Sequence, residues 1–210
     1  MRMLSRILFV LFLPPIALPL FAYAEDITPA GHKLAAALDA MNVEQLWLSK
    51  HIVNWKTGEP LNKAVTDGKA HTHCSAFVAA ACMRQGIYIL RPPEHSTVLL
   101  ANAQYDWLGK EGKDSGWKPV KTATEAQHLA NKGFLVVATY KETDSKKSGH
   151  IAIVRPSTKS RQEIKEEGPQ IIQAGMTNAN SISLKEGFKH HPMAWKGGAF
   201  RYFAHELNRE

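Results

Sequence analysis

Cys74 and Cys82 are the only two cysteines in this chain of 210 residues, and their surroundings differ. Cys74 follows a glycine-containing loop and opens an alanine-rich segment that is typical of a helix. The free amides and the dipole at a helix N-terminus stabilise an anion, so we expect a lowered pKa for Cys74 and a nucleophilic thiolate. Cys82 lies two turns deeper among alanines, where burial keeps a thiol protonated and inert. The helix separates the two by about 12 Å, beyond the reach of a disulfide.

A cysteine nucleophile needs a base, which is normally a histidine that is distant in sequence and close in space. Among 10 histidines, His150 stands out because a glycine precedes it and the apolar run Ile-Ala-Ile-Val follows it. This pattern puts an imidazole at the first residue of a core strand. Gln173, a polar residue inside the next apolar run, can accept the Nδ1 proton of His150 and fix its tautomer. Asn178 and Asn180 are alternatives for that role, and both His150 and Gln173 could instead face water.

Two further histidines allow a different chemistry. With Cys74, His71 and His73 present two imidazoles and a thiolate, which are zinc ligands. No second pair of closely spaced Cys or His residues supplies the remaining ligands, so we expect neither a metal nor another cofactor. His73 and Ser75, on either side of the candidate nucleophile, are predicted to contact substrate. Trp55, in the loop before this helix, is predicted to line the cleft.

Apolar periodicity and turn residues predict the elements that carry these side chains. Helices are expected after Thr28 as N-cap, from about His73 to Gln85, after Ser96 or Thr97, and from Thr124 to Lys132. Apolar runs predict strands at 134–140, 150–155, 170–174 and 199–205, with charged turns at 141–149 and 157–169. Helices followed by strands at turn-length separations indicate an α+β fold with a mainly antiparallel sheet.

The N-terminal segment is typical of a secretory signal peptide over residues 1–24. Arg2 and Arg6 precede an apolar run, and small residues allow cleavage after Ala24. Residues 25–210 would then form a single periplasmic or secreted domain with no stable membrane anchor. The formal charge of +7 would favour contact with an anionic envelope polymer. Because the chain has no arginine-rich run, nucleic acid is not expected as a partner.

The order of these motifs resembles the NlpC-type and CHAP amidohydrolases of the papain-like superfamily. The similar features are a helix that opens with Cys-Ser-x-Phe-Val, a strand that opens with Gly-His, and a following strand with a central polar residue. The resemblance covers roughly residues 70 to 205 and implies a papain-like domain. It implies that Cys74 is the nucleophile, His150 the base and Gln173 the orienting residue.

The resemblance and the export signal together imply hydrolysis of amide bonds in peptidoglycan peptides. Cys74 would attack the amide carbonyl and form a thioacyl intermediate, while its own backbone N–H binds the oxyanion. His150 would protonate the leaving amine and then activate water. Three alternatives remain open from the sequence alone: a cysteine hydrolase or acyltransferase with a non-wall substrate, a non-catalytic wall-binding domain of the same fold, and a zinc-binding protein.

Overall fold

The computed structural model describes residues 26–61, 65–68 and 70–207, so the signal peptide expected at 1–24 lies outside the described residues. Within them, the helices are α1 (Pro29–Asp39), α2 (Cys74–Arg84), α3 (Leu100–Lys110), α4 (Ala123–Asn131), α5 (Arg161–Glu167), α6 (Leu184–Gly187) and α7 (Pro192–Lys196). The strands are β1 (Lys118–Val120), β2 (Leu135–Tyr140), β3 (His150–Val154), β4 (Gln170–Gln173), β5 (Ala179–Ser183) and β6 (Arg201–His205), and a short 3₁₀ helix covers Gly112–Ser115.

The strands form one six-stranded sheet in the order β1-β6-β2-β3-β4-β5, with every pair of neighbours antiparallel. The α+β prediction with an antiparallel sheet is therefore confirmed. Strand β3 pairs with β2 along its whole length, up to Tyr140 opposite His150. Its pairing with β4 begins only at Ile153. His150 consequently lies at the end of the sheet, beyond the paired part of β4.

Both faces of the central strands are buried. Ile151 and Ile153 of β3 belong to a hydrophobic cluster with α1, α2 and α3 on one face. Ala152 and Val154 belong to a second cluster on the other face, with α4, α6 and Phe188. Burial on both faces explains why β2 and β3 are continuous apolar runs without polar alternation.

Helix α2 is the central helix of the first cluster, and its residues from Ala76 to Cys82 are all buried. Consecutive alanines favour the helix and let it lie close to β3, against which it packs. The helix ends at Arg84 with Gln85 as its C-cap, and Gly86 follows with a φ of 70°, the left-handed conformation in which glycine commonly stops a helix. The predicted extent of this helix is confirmed.

Some predicted boundaries were wrong for local reasons. The expected charged turn at 157–169 contains α5. This helix begins with a capping box between Ser160 and Glu163. Only Ile164 of this helix is buried, so it shows no apolar periodicity in the sequence. Helix α3 begins at Leu100 because the Ser96 hydroxyl accepts a hydrogen bond from the Val98 backbone N–H in a local turn, instead of capping the helix.

No helix in the described part of the chain combines the length and the apolar character needed to cross a bilayer.

Candidate active site

Cys74 is the first residue of α2, as the sequence predicts, and its side chain is turned toward the start of β3. The backbone N–H of Ile151 donates a hydrogen bond to the Cys74 thiol. The thiol therefore lies against the peptide unit that joins Ile151 to His150. The residue is buried, with 4% of its surface exposed, and it is a free cysteine.

The expected lowering of the Cys74 pKa is wrong. Burial raises the pKa of this thiol, and it outweighs the opposing hydrogen bonds from the backbone of Ile151 and from the backbone and hydroxyl of Ser75. The physical reason is that removing a thiolate from water costs more than a few amide dipoles recover. The resting site thus holds a neutral thiol, and the sulfur needs a base at the moment of attack.

Cys82 behaves as predicted. It is fully buried inside α2, and burial strongly raises the pKa of its thiol. Both cysteines are free, as their separation along the helix predicts. Cys82 is therefore a packing residue.

His150 is the first residue of β3 and is buried, with 5% of its surface exposed. Gln173, the last residue of β4, is also buried. The two side chains meet: Nε2 of His150 lies 2.8 Å from Oε1 of Gln173. The alternative in which either residue faces water is therefore wrong.

The contact uses a different ring nitrogen from the one expected, because Gln173 binds Nε2 and not Nδ1. The amide nitrogen of Gln173 donates to the carbonyl of Thr177 at 3.0 Å, which turns the amide oxygen toward the imidazole. An amide oxygen only accepts hydrogen bonds, so Nε2 carries the proton and Nδ1 keeps a lone pair. Nδ1 is the nitrogen nearer the backbone, and the Cys74 thiol lies beside that backbone.

Burial also controls the protonation of His150. It lowers the pKa of the imidazole to about 4, although the hydrogen bond that His150 donates to Gln173 opposes the shift. At neutral pH the ring is uncharged and can accept a proton. A neutral imidazole with its lone pair on Nδ1 can act as a general base toward a thiol.

Two aromatic rings enclose His150. Phe188 contacts it edge-on, with 4.5 Å between ring centroids, and His191 stacks on it at 5.7 Å with 13° between the ring planes. The residues around His191 indicate a surface position, so its place beside His150 was missed. That place depends on the chain after α6 returning to the end of β2 and β3, which no local pattern contains.

Glu142 belongs to the same cluster, although it lies in the segment predicted to be a solvated turn. Its carboxylate is 2.8 Å from Nδ1 of His191 and accepts a hydrogen bond of 3.3 Å from the hydroxyl of Tyr140. Both members of the Glu142–His191 pair have side chains only 19% exposed. Burial lowers the pKa of His191, while Glu142 opposes that shift.

A cleft of about 220 Å³ opens beside His150. It is bordered by the loop before α2, the turn before β3 and the segments after β4 and α6, through Ala70, Thr72, Ser148, Gly149, His150, Gly175, Met176, Gly187, His190 and His191. A larger cavity of about 630 Å³ lies between β1, α4 and the end of β6, and none of the predicted site residues lines it. Of the three predicted catalytic residues, His150 alone lines the smaller cleft, which is therefore the candidate substrate site.

Gly149 is required by the close packing just before His150. A Cβ atom at this position would lie 2.1 Å from the carbonyl oxygen of Tyr140 and 2.8 Å from Oδ1 of Asn102. Asn102 accepts a hydrogen bond from the Gly149 N–H at 2.8 Å and donates to the carbonyl of Lys147 at 2.9 Å. The glycine before the histidine thus lets Asn102 fix the turn that leads into β3.

The residues predicted to contact substrate have other partners in the structure. His73 occupies the N-cap position of α2 without a side-chain cap, and its ring faces the preceding loop, where Nε2 lies 2.9 Å from the carbonyl of His51. The hydroxyl of Ser75 donates to the Cys74 thiol. Trp55 packs against the first hydrophobic cluster, and its carbonyl accepts a hydrogen bond from the Trp47 indole at 3.1 Å. The cleft beside His150 is lined by other residues.

The zinc alternative receives no support from the histidines that suggested it. Nε2 of His71 lies 2.8 Å from a carboxylate oxygen of Asp67, and His73 faces the carbonyl of His51. In the described parts of the chain, no three His, Cys, Asp or Glu side chains are grouped as metal ligands.

The two asparagines considered for the orienting role have different positions. Asn178 donates to the carbonyls of Val43 and Leu46, each at 2.8 Å, and accepts from the Gly175 N–H at 3.0 Å. It thus ties the turn after β4 to the segment after α1. The carbonyl of Asn180 accepts from Arg155, so neither asparagine takes the place of Gln173 at the imidazole.

No protein-family model matches this chain, and no curated protein matches it.

Proposed function

We propose that this protein is an exported cysteine amidase or endopeptidase with a papain-like fold, and that it hydrolyses amide bonds in peptidoglycan peptides. The observation that carries the proposal is the buried contact between His150 and Gln173. It leaves a lone pair on Nδ1, and Cys74 lies against the adjoining backbone.

The fold is consistent with the papain-like part of the proposal. A cysteine at the start of α2 packs against an antiparallel sheet whose neighbouring strands β3 and β4 carry the histidine and the glutamine. The three residues belong to three different elements, each anchored in the core. Such anchoring holds reacting groups in a fixed geometry.

The reaction begins from a neutral pair. His150 takes the thiol proton on Nδ1 while the sulfur of Cys74 attacks the amide carbonyl. The backbone N–H of Cys74 donates to the oxyanion. His150 then gives its proton to the leaving nitrogen, the C–N bond breaks, and a thioester remains on Cys74. Gln173 stabilises the transient imidazolium because its amide oxygen accepts from Nε2 throughout.

The substrate class rests on the export signal, on the family resemblance and on the shape of the cleft. A cleft of about 220 Å³ with polar groups from Thr72, Ser148 and the histidines admits a short peptide segment better than a folded protein loop. The basic sequence would favour association with an anionic wall polymer.

The proposal is tested by incubating purified sacculi with the wild-type protein and with C74S, and then measuring new free amines and the masses of released muropeptides. New amines from the wild type only are the expected result. Amines released from small peptide amides but not from sacculi would favour a non-wall substrate. No release from either substrate, with measurable binding to sacculi, would favour a non-catalytic wall-binding domain. Identical fragments from both proteins would overturn the role of Cys74.

A further inference from the structure

The Glu142–His191 pair has no role in the acylation step described above. His191 stacks on His150 with nearly parallel rings and lines the same cleft. Glu142 lies against Nδ1 of His191, and Tyr140 in turn holds the carboxylate. A second imidazole is therefore fixed in orientation beside the candidate base.

The tautomer of His191 follows from its partner. An ionised carboxylate only accepts hydrogen bonds, so Nδ1 of the neutral ring carries the proton. Nε2 then keeps its lone pair, and no described residue binds that atom. A carboxylate that orients an imidazole in this way makes the opposite nitrogen a base.

The two imidazoles of the site differ in what they can reach. His150 has Nε2 bound by Gln173, and its exposed fraction is 5%. His191 has a side chain that is 19% exposed and borders the cleft, so its Nε2 side is open to water. Hydrolysis of the thioester on Cys74 needs a base that accepts a proton from the attacking water. The departing sulfur separately needs a proton.

We propose that His191, oriented by Glu142, is a catalytic residue that activates the water in deacylation, while His150 acts on the sulfur. The inference rests on the proposed cysteine hydrolase function. It replaces the expectation that His150 activates the water.

The step balances as follows. The water oxygen forms a bond to the thioester carbonyl carbon, and one water proton moves to Nε2 of His191. The C–S bond then breaks and the sulfur leaves as a thiolate. The carboxylic acid product ionises, and its proton returns to the sulfur through His150. The imidazolium of His191 releases its proton to solvent, which its lowered pKa favours.

The test uses p-nitrophenyl acetate, a small activated ester that acylates nucleophilic cysteines, with the wild type, H191N and E142Q. Loss of the water base should leave the burst of p-nitrophenol intact and slow the steady-state rate. We expect kcat of H191N to fall roughly 100-fold with kcat/KM near the wild-type value, and acyl-enzyme to accumulate. E142Q should show a smaller change in the same direction.

His32 provides a control histidine, because it is exposed on α1 and does not line the cleft. H32N should retain the wild-type kcat. An unchanged kcat in H191N, or an equal loss of burst rate and steady-state rate, would overturn the inference while leaving the hydrolase intact. If H191N does not fold, E142Q alone decides between these results. If the wild type forms no acyl-enzyme and releases nothing from sacculi, the proposed function itself fails.

Discussion

The imidazole of His150 donates from Nε2 to the amide oxygen of Gln173 over 2.8 Å, and both side chains are buried at the end of adjacent strands. This hydrogen bond selects the tautomer in which Nδ1 is a base. Because the amide is neutral, it orients the ring without adding a charge that would hold a proton on it. Burial keeps His150 uncharged at rest, and the hydrogen bond to Gln173 orients its ring.

Replacing Gln173 should change activity in two distinguishable ways. Q173A removes the acceptor for Nε2, and we expect kcat/KM to fall roughly 10- to 100-fold. Q173E places a carboxylate there, which raises the pKa of His150 and should move the acid limb of the pH–rate profile upward by roughly 1 to 3 units.

The control for both variants is Q170A, because Gln170 lies on the same strand and its side chain contacts only the hydroxyl of Ser181 at the sheet edge. Q170A should retain the wild-type rate and profile. A Q173E profile that coincides with the wild type would contradict the assignment.

The burial of His150 predicts a stability that depends on pH. The pKa of His150 is about 4 in the folded protein, against 6.5 for an ordinary histidine, so the unfolded chain binds a proton that the folded protein excludes. The free energy of unfolding should therefore decrease as the pH falls from about 6.5 to about 4, by roughly 3 kcal/mol from this group.

Urea unfolding of the wild type and of H150Q across this pH range isolates the contribution. Burial also lowers the pKa of His73 and His191, so the wild type loses stability from several groups, and only the difference between the two proteins reports His150. H150Q should lose less stability on acidification. If the free energies of unfolding of the wild type and H150Q fall in parallel as the pH decreases, His150 is protonated in the folded protein.

Gly149 should not tolerate a side chain. In G149A the new methyl group would overlap the Tyr140 carbonyl and Oδ1 of Asn102. We expect a loss of about 1–3 kcal/mol in the free energy of unfolding, together with loss of activity, because the turn that carries His150 must move. G112A is the comparison, since its new Cβ would meet nothing nearer than 3.4 Å. Equal stability of the two variants, measured by thermal unfolding, would rule out this role.

Asn178 should matter for stability because it links two distant segments. N178A leaves the carbonyls of Val43 and Leu46 and the N–H of Gly175 without this partner. The expected cost is about 1–3 kcal/mol in urea unfolding. S181A, an exposed change in the neighbouring strand, should stay within about 0.5 kcal/mol of the wild type. An unchanged free energy of unfolding in N178A would show that this link does not stabilise the folded protein.

The sequence predicted the elements whose residues have a clear local pattern. The apolar runs of β2 and β3 and the alanines of α2 follow directly from burial on both sides. They placed Cys74, His150 and Gln173 at the correct positions of their elements. Strand β5 was not predicted, because its residues are half-buried or exposed and mostly polar at the sheet edge.

The electrostatics of the site could not be read from local patterns. A helix N-terminus predicts a lowered pKa for Cys74, but the burial that reverses it depends on how α2 packs on β3. The position of His191 depends on the chain returning to the end of β2 and β3, where it meets Glu142. Both depend on contacts between segments far apart in the sequence, which apolar periodicity does not encode.

The central claim is that Cys74 is a nucleophile activated by His150, and the most direct measurement locates the acyl group formed with p-nitrophenyl acetate. Trypsin cuts after Lys69 and Arg84, so both cysteines lie on one peptide and fragment masses must distinguish them. We predict an acetyl group on Cys74 in the wild type, its retention in C82A, and its loss in H150A. An acetyl group on Cys82, or acylation of Cys74 at an unchanged rate in H150A, would contradict the account.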